Sequence, residues 1–413
     1  MDNQRLILLL VFLFSLFMLW DGWQLHNKPN PPAVAGQNAP SQAAQQDTGA
    51  PPTPSSGLSV APAVSASAVP APGQPATGAK ALVKTDLYLA EISSIGGDLL
   101  RLELIRHKAT EDKDQPFVLM EISKDRTYLA QSGLIGEGLP NHKTEFRLDP
   151  GPHEMKADSD QLEVRLEAPS ANGLRVVKVY TFHRNSYQID IGYEIVNQRP
   201  DPFAAHAYYQ LTRDGKVPEA SMTNIATFTG PAIYTDEGKF QKIDFADIEK
   251  GKAKFVQKAR DGWVAMVQHY FVAGWTPKGN EEREFFMRKV ADNLYSAGII
   301  LPVAAVAPGQ TARVGVPLYA GPQEQAKLEK IAPGFDLVVD YGWLTVIAAP
   351  IYWLLELIHR FVGNWGWSII LLTVLIKGMF YPLSAASYRS MAKMKVVTPK
   401  LMKIKEQFAS DRN

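Results

Sequence analysis

The 413-residue sequence predicts a membrane protein of the α+β class. Its parts are an N-terminal transmembrane anchor, a large antiparallel β-sandwich outside the membrane, an interfacial amphipathic helix, a second transmembrane helix and the start of a helical hairpin. Three observations predict this. Two apolar runs, from Leu6 to Trp20 and from Trp365 to Leu383, approach the length of a bilayer span. The stretch between them alternates apolar and polar residues with the period of strands. A lysine, Lys377, interrupts the second run, where a charge costs roughly 2.5 to 3.5 kcal/mol, so it marks a candidate functional site.

Composition narrows the function classes. Lys and Arg number 43 against 42 Asp and Glu, so no global charge bias points to nucleic acid. The absence of cysteine excludes disulfides, thiolate metal sites and cysteine nucleophiles. Any exported part must hold itself together by core packing.

At the N-terminus, residues 1–5 lead into an expected transmembrane helix over 6–24. Only Ser15 breaks the apolar run, and Trp20 and Trp23 suit the headgroup boundary. A signal peptide is the competing reading, with Ala33-Val34-Ala35 as a small-residue cleavage pattern. That pattern lies about 15 residues past the apolar run, behind Pro29, Pro31 and Pro32, which favours an uncleaved anchor. Residues 25–81 read as a disordered linker. From 28 to 80 they are rich in Pro, Ala, Ser, Gly and Gln, carry no aromatic residue, and bear only Lys28, Asp47 and Lys80 as charges. Such a stretch cannot bury enough apolar area to offset its ordering entropy.

Residues 82–335 read as the sandwich. Strand patterns recur at Leu87–Ile92, Leu99–Leu104, Leu162–Leu166, Val176–Phe182, Tyr187–Tyr193, Trp263–Val267 and Arg313–Tyr319. Residues 323–331 add a short amphipathic helix. Within this region His107, His142, His153, His183, His206 and His269 show no metal-ligand spacing, and no nucleophile elbow or phosphate-binding glycine loop occurs. His183 or His206 beside a carboxylate could serve as acid or base. Histidines satisfied by ordinary hydrogen bonds are the simpler reading.

Residues 340–362 predict a helix with one apolar face, formed by Trp343, Ile347, Ile351, Leu354, Ile358 and Phe361. Pro350 should kink it, and Glu356, His359 and Arg360 crowd its far end. It could span or lie in the interface, and charge placement decides. Arg389, Lys393, Lys395, Lys400, Lys403 and Lys405 follow the second apolar run, and basic segments stay cytoplasmic. Both termini are then inside, the sandwich outside, and 340–362 along the outer face. The second span covers 365–384, with Lys377 about 18 Å past Trp365 and about 9 Å from the inner edge. In the basic segment 385–413, Thr398-Pro399 fits an N-cap followed by proline at the first position of a new helix.

Lys377 can be read in two ways. Its stem could lift the ammonium toward the headgroups. Against that, Thr373, Lys377, Tyr381, Ser384 and Tyr388 recur at helical spacing and form a polar stripe, which lipid cannot satisfy. Lys377, Thr373 and Tyr381 are therefore the candidate lining of a groove facing other helices or water. The basic tail is either a topology signal or a contact for anionic lipids, ribosomal RNA or targeting partners.

Several motifs carry a resemblance. Val339-Asp-Tyr-Gly-Trp-Leu344, Phe361-Val-Gly-Asn-Trp-Gly-Trp-Ser-Ile369, Tyr381-Pro-Leu383 and Ser390-Met-Ala-Lys-Met394 closely resemble the Gram-negative branch of the YidC/Oxa/Alb family of membrane insertases. Gln131-Ser-Gly-Leu134 and Gly262-Trp-Val-Ala-Met266 are similar too, and the likeness runs from the anchor to the last residue. The resemblance implies a periplasmic β-supersandwich like that of galactose mutarotases, without assigned catalysis. It also implies a core of five helices around a hydrophilic groove carrying one positive residue, usually arginine, whose position Lys377 matches. The implied function is insertion and folding of inner-membrane proteins, with or without the Sec translocon. The implied partners are nascent membrane proteins, the Sec translocon, the ribosome, signal-recognition components and anionic lipids, and not DNA. No enzyme activity, cofactor or metal is expected. The sequence departs from the family in carrying lysine for arginine, which loses the planar donor fork, and in ending at Asn413, before the other four core helices. The alternative reading is a membrane-anchored periplasmic carbohydrate-binding or mutarotase-like protein.

Overall fold

The computed structural model describes residues 51–52 and 78–407, except 110–111, 152, 171, 217–227, 340 and 342–343. The chain divides into Met1–Asp47 and Thr48–Asn413. The anchor expected at 6–24, nearly all of the 25–81 linker, Trp343 and residues 408–413 lie outside the described residues.

Alternation of side chains builds the sandwich. Along Gln188–Asn197, Ile189, Ile191, Tyr193 and Ile195 are buried while the residues between them are half-exposed, as a pleated strand with one core face requires. This strand pairs antiparallel on both sides, with Ile191 opposite Tyr180 in Leu174–His183 and opposite Val316 in Thr311–Pro322. Repetition of the pattern gives one sheet of ten strands and one of nine. A single apolar core drawn from both sheets joins them. Trp263 and Trp275 are among its largest buried side chains, and Tyr209 of the ten-stranded sheet meets Trp275 of the other at 5.2 Å between ring centroids. The sheets are antiparallel with one exception among the described pairings. Lys80–Lys84 runs parallel to His153–Glu154, with Val83 opposite His153.

Four helices complete the described chain: α1 (Phe245–Glu249), α2 (Gln325–Leu328), α3 (Thr345–Val362) and α4 (Trp365–Gln407). A 3-10 turn, Phe335–Val338, seats Phe335 against Trp263 at 4.8 Å, and the Trp263 indole N–H donates to the Pro333 carbonyl at 3.0 Å. Pro350 lies inside α3. That helix ends at Gly363, whose left-handed φ of 70° lets its N–H reach the His359 carbonyl. Asn364 caps α4 at once, its Oδ1 accepting the N–H groups of Gly366 and Trp367 at 2.9 and 3.2 Å.

The structure corrects one expectation. Instead of a fresh helix starting at Thr398, α4 runs unbroken for 43 residues through Pro382 and Pro399. Thr398 does not act as an N-cap, because its hydroxyl donates to the Met394 carbonyl one turn back at 2.7 Å. An interior proline forfeits one backbone bond and strains against the carbonyl four residues earlier, at roughly 3 kcal/mol. A helix of this length carries that as a local defect rather than a break.

Candidate functional site

The continuity of α4 puts Thr373, Lys377 and Tyr381 on successive turns of one face. Ser368 and Leu372 are the buried residues of α4 among those described, and α4 contacts α3. At 3.6 residues per turn, Lys377 lies roughly 140° around the helix from Leu372. The stripe thus lies away from the buried side of α4. Lys377 and Tyr381 are exposed, and Ile370, Val374, Leu375, Met379 and Phe380 around them are exposed as well. Thr373 is committed differently: its hydroxyl donates to the Ile369 carbonyl at 2.8 Å, which leaves its oxygen as an acceptor only. Among the described residues, the stretch Trp365–Pro399 of α4 is the helix long and apolar enough to cross a bilayer.

Helix α3 shows a second unpartnered apolar surface. Ile347, Ile351 and Phe361 of its expected face are exposed, with Leu354 and Ile358 half-buried. Val346 and Trp353 widen the exposed area. The His359 ring stacks on Trp365 at 3.8 Å and 13°, clasping the end of α3 to the start of α4.

In the sandwich the histidines are mostly engaged. His107 meets the Tyr187 hydroxyl at 3.0 Å, His142 the Tyr208 hydroxyl at 2.5 Å and His183 the Asp190 carboxylate at 2.7 Å. His206 differs, since its Nδ1 is buried without a hydrogen-bond partner among the described residues. No group of three or more metal-ligating side chains occurs among the described residues.

A buried polar network went unread in the sequence. Lys178, fully buried, donates to the Gly96 carbonyl at 3.0 Å and lies 5.6 and 5.7 Å from the ring centroids of Tyr180 and Tyr193. Asp98 accepts from the Gln131 amide at 2.7 Å, and the Gln131 carbonyl accepts from Gln210 and Thr212, both at 2.9 Å. Burial lifts the Asp98 carboxyl to about 7, with the Lys178 charge and the Gln131 hydrogen bond holding it back. Burial likewise pulls Lys178 down to about 8, and Asp98 offsets part of that. The signal was strand parity: Lys178 shares the inward phase of Val176, Tyr180 and Phe182.

Comparison with known proteins bears on both regions. Residues 80–354 match the family model of the YidC periplasmic domain, and residues 357–413 match the 60Kd inner membrane protein family. The chain belongs to the YidC family. Relatives named membrane protein insertase YidC include one from Aromatoleum aromaticum, 55% identical over 413 residues. Another, from Nitrosospira multiformis, is 49% identical over 422 residues. Each alignment covers 100% of this chain and 74% of the relative. Among solved structures, a galactose mutarotase related enzyme from Lactobacillus acidophilus is 9% identical with a TM-score of 0.37. It is matched over 59% of this chain and 97% of its own. A likeness at that level carries no argument about function. The YidC periplasmic domain is β-rich in this chain, and the apolar helix follows it.

Proposed function

We propose that the chain acts as a membrane protein insertase of the bacterial inner membrane, lowering the cost of moving polar segments of nascent membrane proteins part-way across the bilayer. The observation that carries this reading is the stripe of Thr373, Lys377 and Tyr381 on the apolar, exposed helix α4. Bringing a polar or acidic tail into hydrocarbon costs several kcal/mol unless a partner receives it. Lys377 supplies a charge for an acidic tail, Tyr381 a hydroxyl donor and Thr373 an acceptor. The apolar segment of the substrate meanwhile slides into lipid along Val374, Leu375 and Met379. No bond is made or broken, so the work is electrostatic hosting followed by release.

The arrangement we propose has residues 1–5 inside, 6–24 and 365–384 as spans, 82–335 as the periplasmic sandwich, 340–362 along the outer face and 385–413 inside. It makes the protein multi-pass, with both ends of this chain cytoplasmic. The basic residues after 389 favour that orientation. We assign the stripe to one wall of a hydrophilic groove. Nascent membrane proteins are its substrates, and the Sec translocon, the ribosome and signal-recognition components are partners at the cytoplasmic side.

The test is a photocrosslinking residue at position 377 in the membrane-embedded protein. Nascent membrane segments are expected to be captured there, and a crosslinker on the opposite face, at Leu372, is expected to capture none. Equal capture at both positions, or none at 377 with normal expression, overturns the assignment.

A further inference from the structure

Two buried arginines in the sandwich are treated very differently by the fold. Arg283, 1% exposed, spends its guanidinium on the carbonyls of Glu281, Gly262, Pro277, Arg260 and Gly279, at 2.6 to 3.4 Å. Arg213, 2% exposed, has Nε and Nη1 buried with no hydrogen-bond partner among the described residues. It stacks over the Tyr128 ring at 5.0 Å. The neighbouring Asp214 acts on it through charge alone, and its two oxygens accept the backbone N–H groups of Thr127 at 2.6 Å and Lys216 at 2.9 Å. Burial draws the Arg213 guanidinium down to about 10, with the nearby Arg126 adding to the effect and Tyr128 and Asp214 opposing it. A buried, unsatisfied charge in a well-packed protein calls for a specific cause, such as a ligand.

The surroundings suit a ligand of one kind. Arg213 lines a cavity of about 250 Å³ together with Arg126, Lys216, Asp125, His269 and Phe117. Arg126 is held there by the Val118 and Leu119 carbonyls at 3.2 and 3.0 Å, so it contributes fixed charge. The three cations have as counter-charges Asp125, an Asp214 already engaged by backbone, and Glu121, which pairs with Arg126 at 3.7 Å. Phe117 and His269 also line a second cavity of about 440 Å³, whose wall includes His107, Tyr270 and Phe271. Phe117, which lines both lobes, stacks on Phe271 of the larger one at 4.0 Å and 16°.

We propose that this double cavity is a binding site for an organic phosphate, with the phosphoryl group against Arg213, Arg126 and Lys216 and the organic arm lying over Phe117. Guanidinium groups match tetrahedral oxyanions with charge-assisted, directional hydrogen bonds, and the exposed Lys216 ammonium, held by the Asp125 carbonyl, adds a charge at the rim. The arm can belong to a phospholipid headgroup or to a soluble phosphate ester. The larger lobe is bordered by Pro322, Gln323 and Glu324, where the chain leaves its last strand for the helical segments.

The experiment uses the full chain in non-ionic detergent, titrated calorimetrically with glycerol 3-phosphate, dioctanoyl phosphatidylglycerol and inorganic phosphate in turn. At least one organic phosphate is expected to bind, more tightly than inorganic phosphate. Arg213→Gln is expected to weaken that binding by about tenfold or more and Lys216→Gln by a few fold, while Lys377→Leu leaves it unchanged. Tighter binding of the lipid assigns the site to a headgroup, and tighter binding of glycerol 3-phosphate assigns it to a soluble ester. No binding of either at concentrations on the order of 10 mM overturns the proposal. So does an affinity for inorganic phosphate equal to both, or binding that Arg213→Gln leaves intact. Should Arg213→Gln fail to fold, unaltered binding in Lys216→Gln, which changes only an exposed side chain, overturns it equally.

Discussion

Lys178 in the sandwich and Lys377 on α4 are the same side chain in opposite predicaments. Lys178 is sealed inside protein, and the fold supplies its solvent: a turn carbonyl at Gly96, two tyrosine faces and the Asp98 carboxylate. Lys377 sits on the outside of an apolar helix, and its surroundings must come from elsewhere. The difference separates two uses of a charge. Where the protein completes the environment, the charge fixes a structure; where it leaves the environment open, the charge is available to a passing partner.

The largest test of this contrast is Lys178→Met, which strands Asp98 in the core. We expect a loss of about 3–5 kcal/mol in the unfolding free energy of the sandwich, read by circular dichroism in denaturant. The double replacement Lys178→Met with Asp98→Asn is expected to restore most of it, and simple additivity of the two losses would break the comparison. Next comes pH. The folded-state pKa of Asp98, about 7, exceeds its ordinary 3.8, so stability present at low pH is lost as pH rises toward 7. The folded-state value of Lys178, about 8, lies below its ordinary 10.5, so stability is regained as pH climbs from 8 toward 10.5. Thermal unfolding across that range should show its trough near neutrality, and the double variant should flatten it. By contrast Lys377→Leu is expected to change sandwich stability by no more than about 0.5 kcal/mol while abolishing insertion of substrates with acidic tails. Lys377→Arg should retain insertion. Smallest of all, Arg360→Ala breaks an exposed pair with Glu356 at 3.4 Å, and helix content should shift by no more than about 0.5 kcal/mol in stability.

Much of this architecture was legible because its elements are periodic. The strand Gln188–Asn197 obeys period two throughout, and the runs Leu99–Leu104 and Val176–Phe182 lie in strands as expected. α3 announced itself by recurring apolar residues at helical spacing. What escaped was information held in pairs of distant segments. Lys178 and Asp98 are 80 residues apart in sequence, and nothing local tells an inward lysine that a carboxylate will meet it. Arg213 was hidden for the same reason, although its phase with Tyr209 and Leu211 marked it as inward. Thr398-Pro399 misled in another way: the same two residues fit the start of a helix and its interior. The choice turned on whether the Thr398 hydroxyl bonded forward or back.

The corner at Gly363 and Asn364 has a mechanical consequence. A left-handed residue other than glycine costs about 1–2 kcal/mol there, so the bend is held by one glycine, one capping asparagine and the stack of His359 on Trp365. With α3 resting at the outer headgroups as proposed, it is a float and α4 the plumb line hung from it. The drop from Trp365 to Lys377, about 18 Å, is then measured from the waterline by the polypeptide itself. Depth becomes a property of the backbone, and lengthening or shortening that drop by a single residue would both sink or raise the charge and swing it about 100° around the helix.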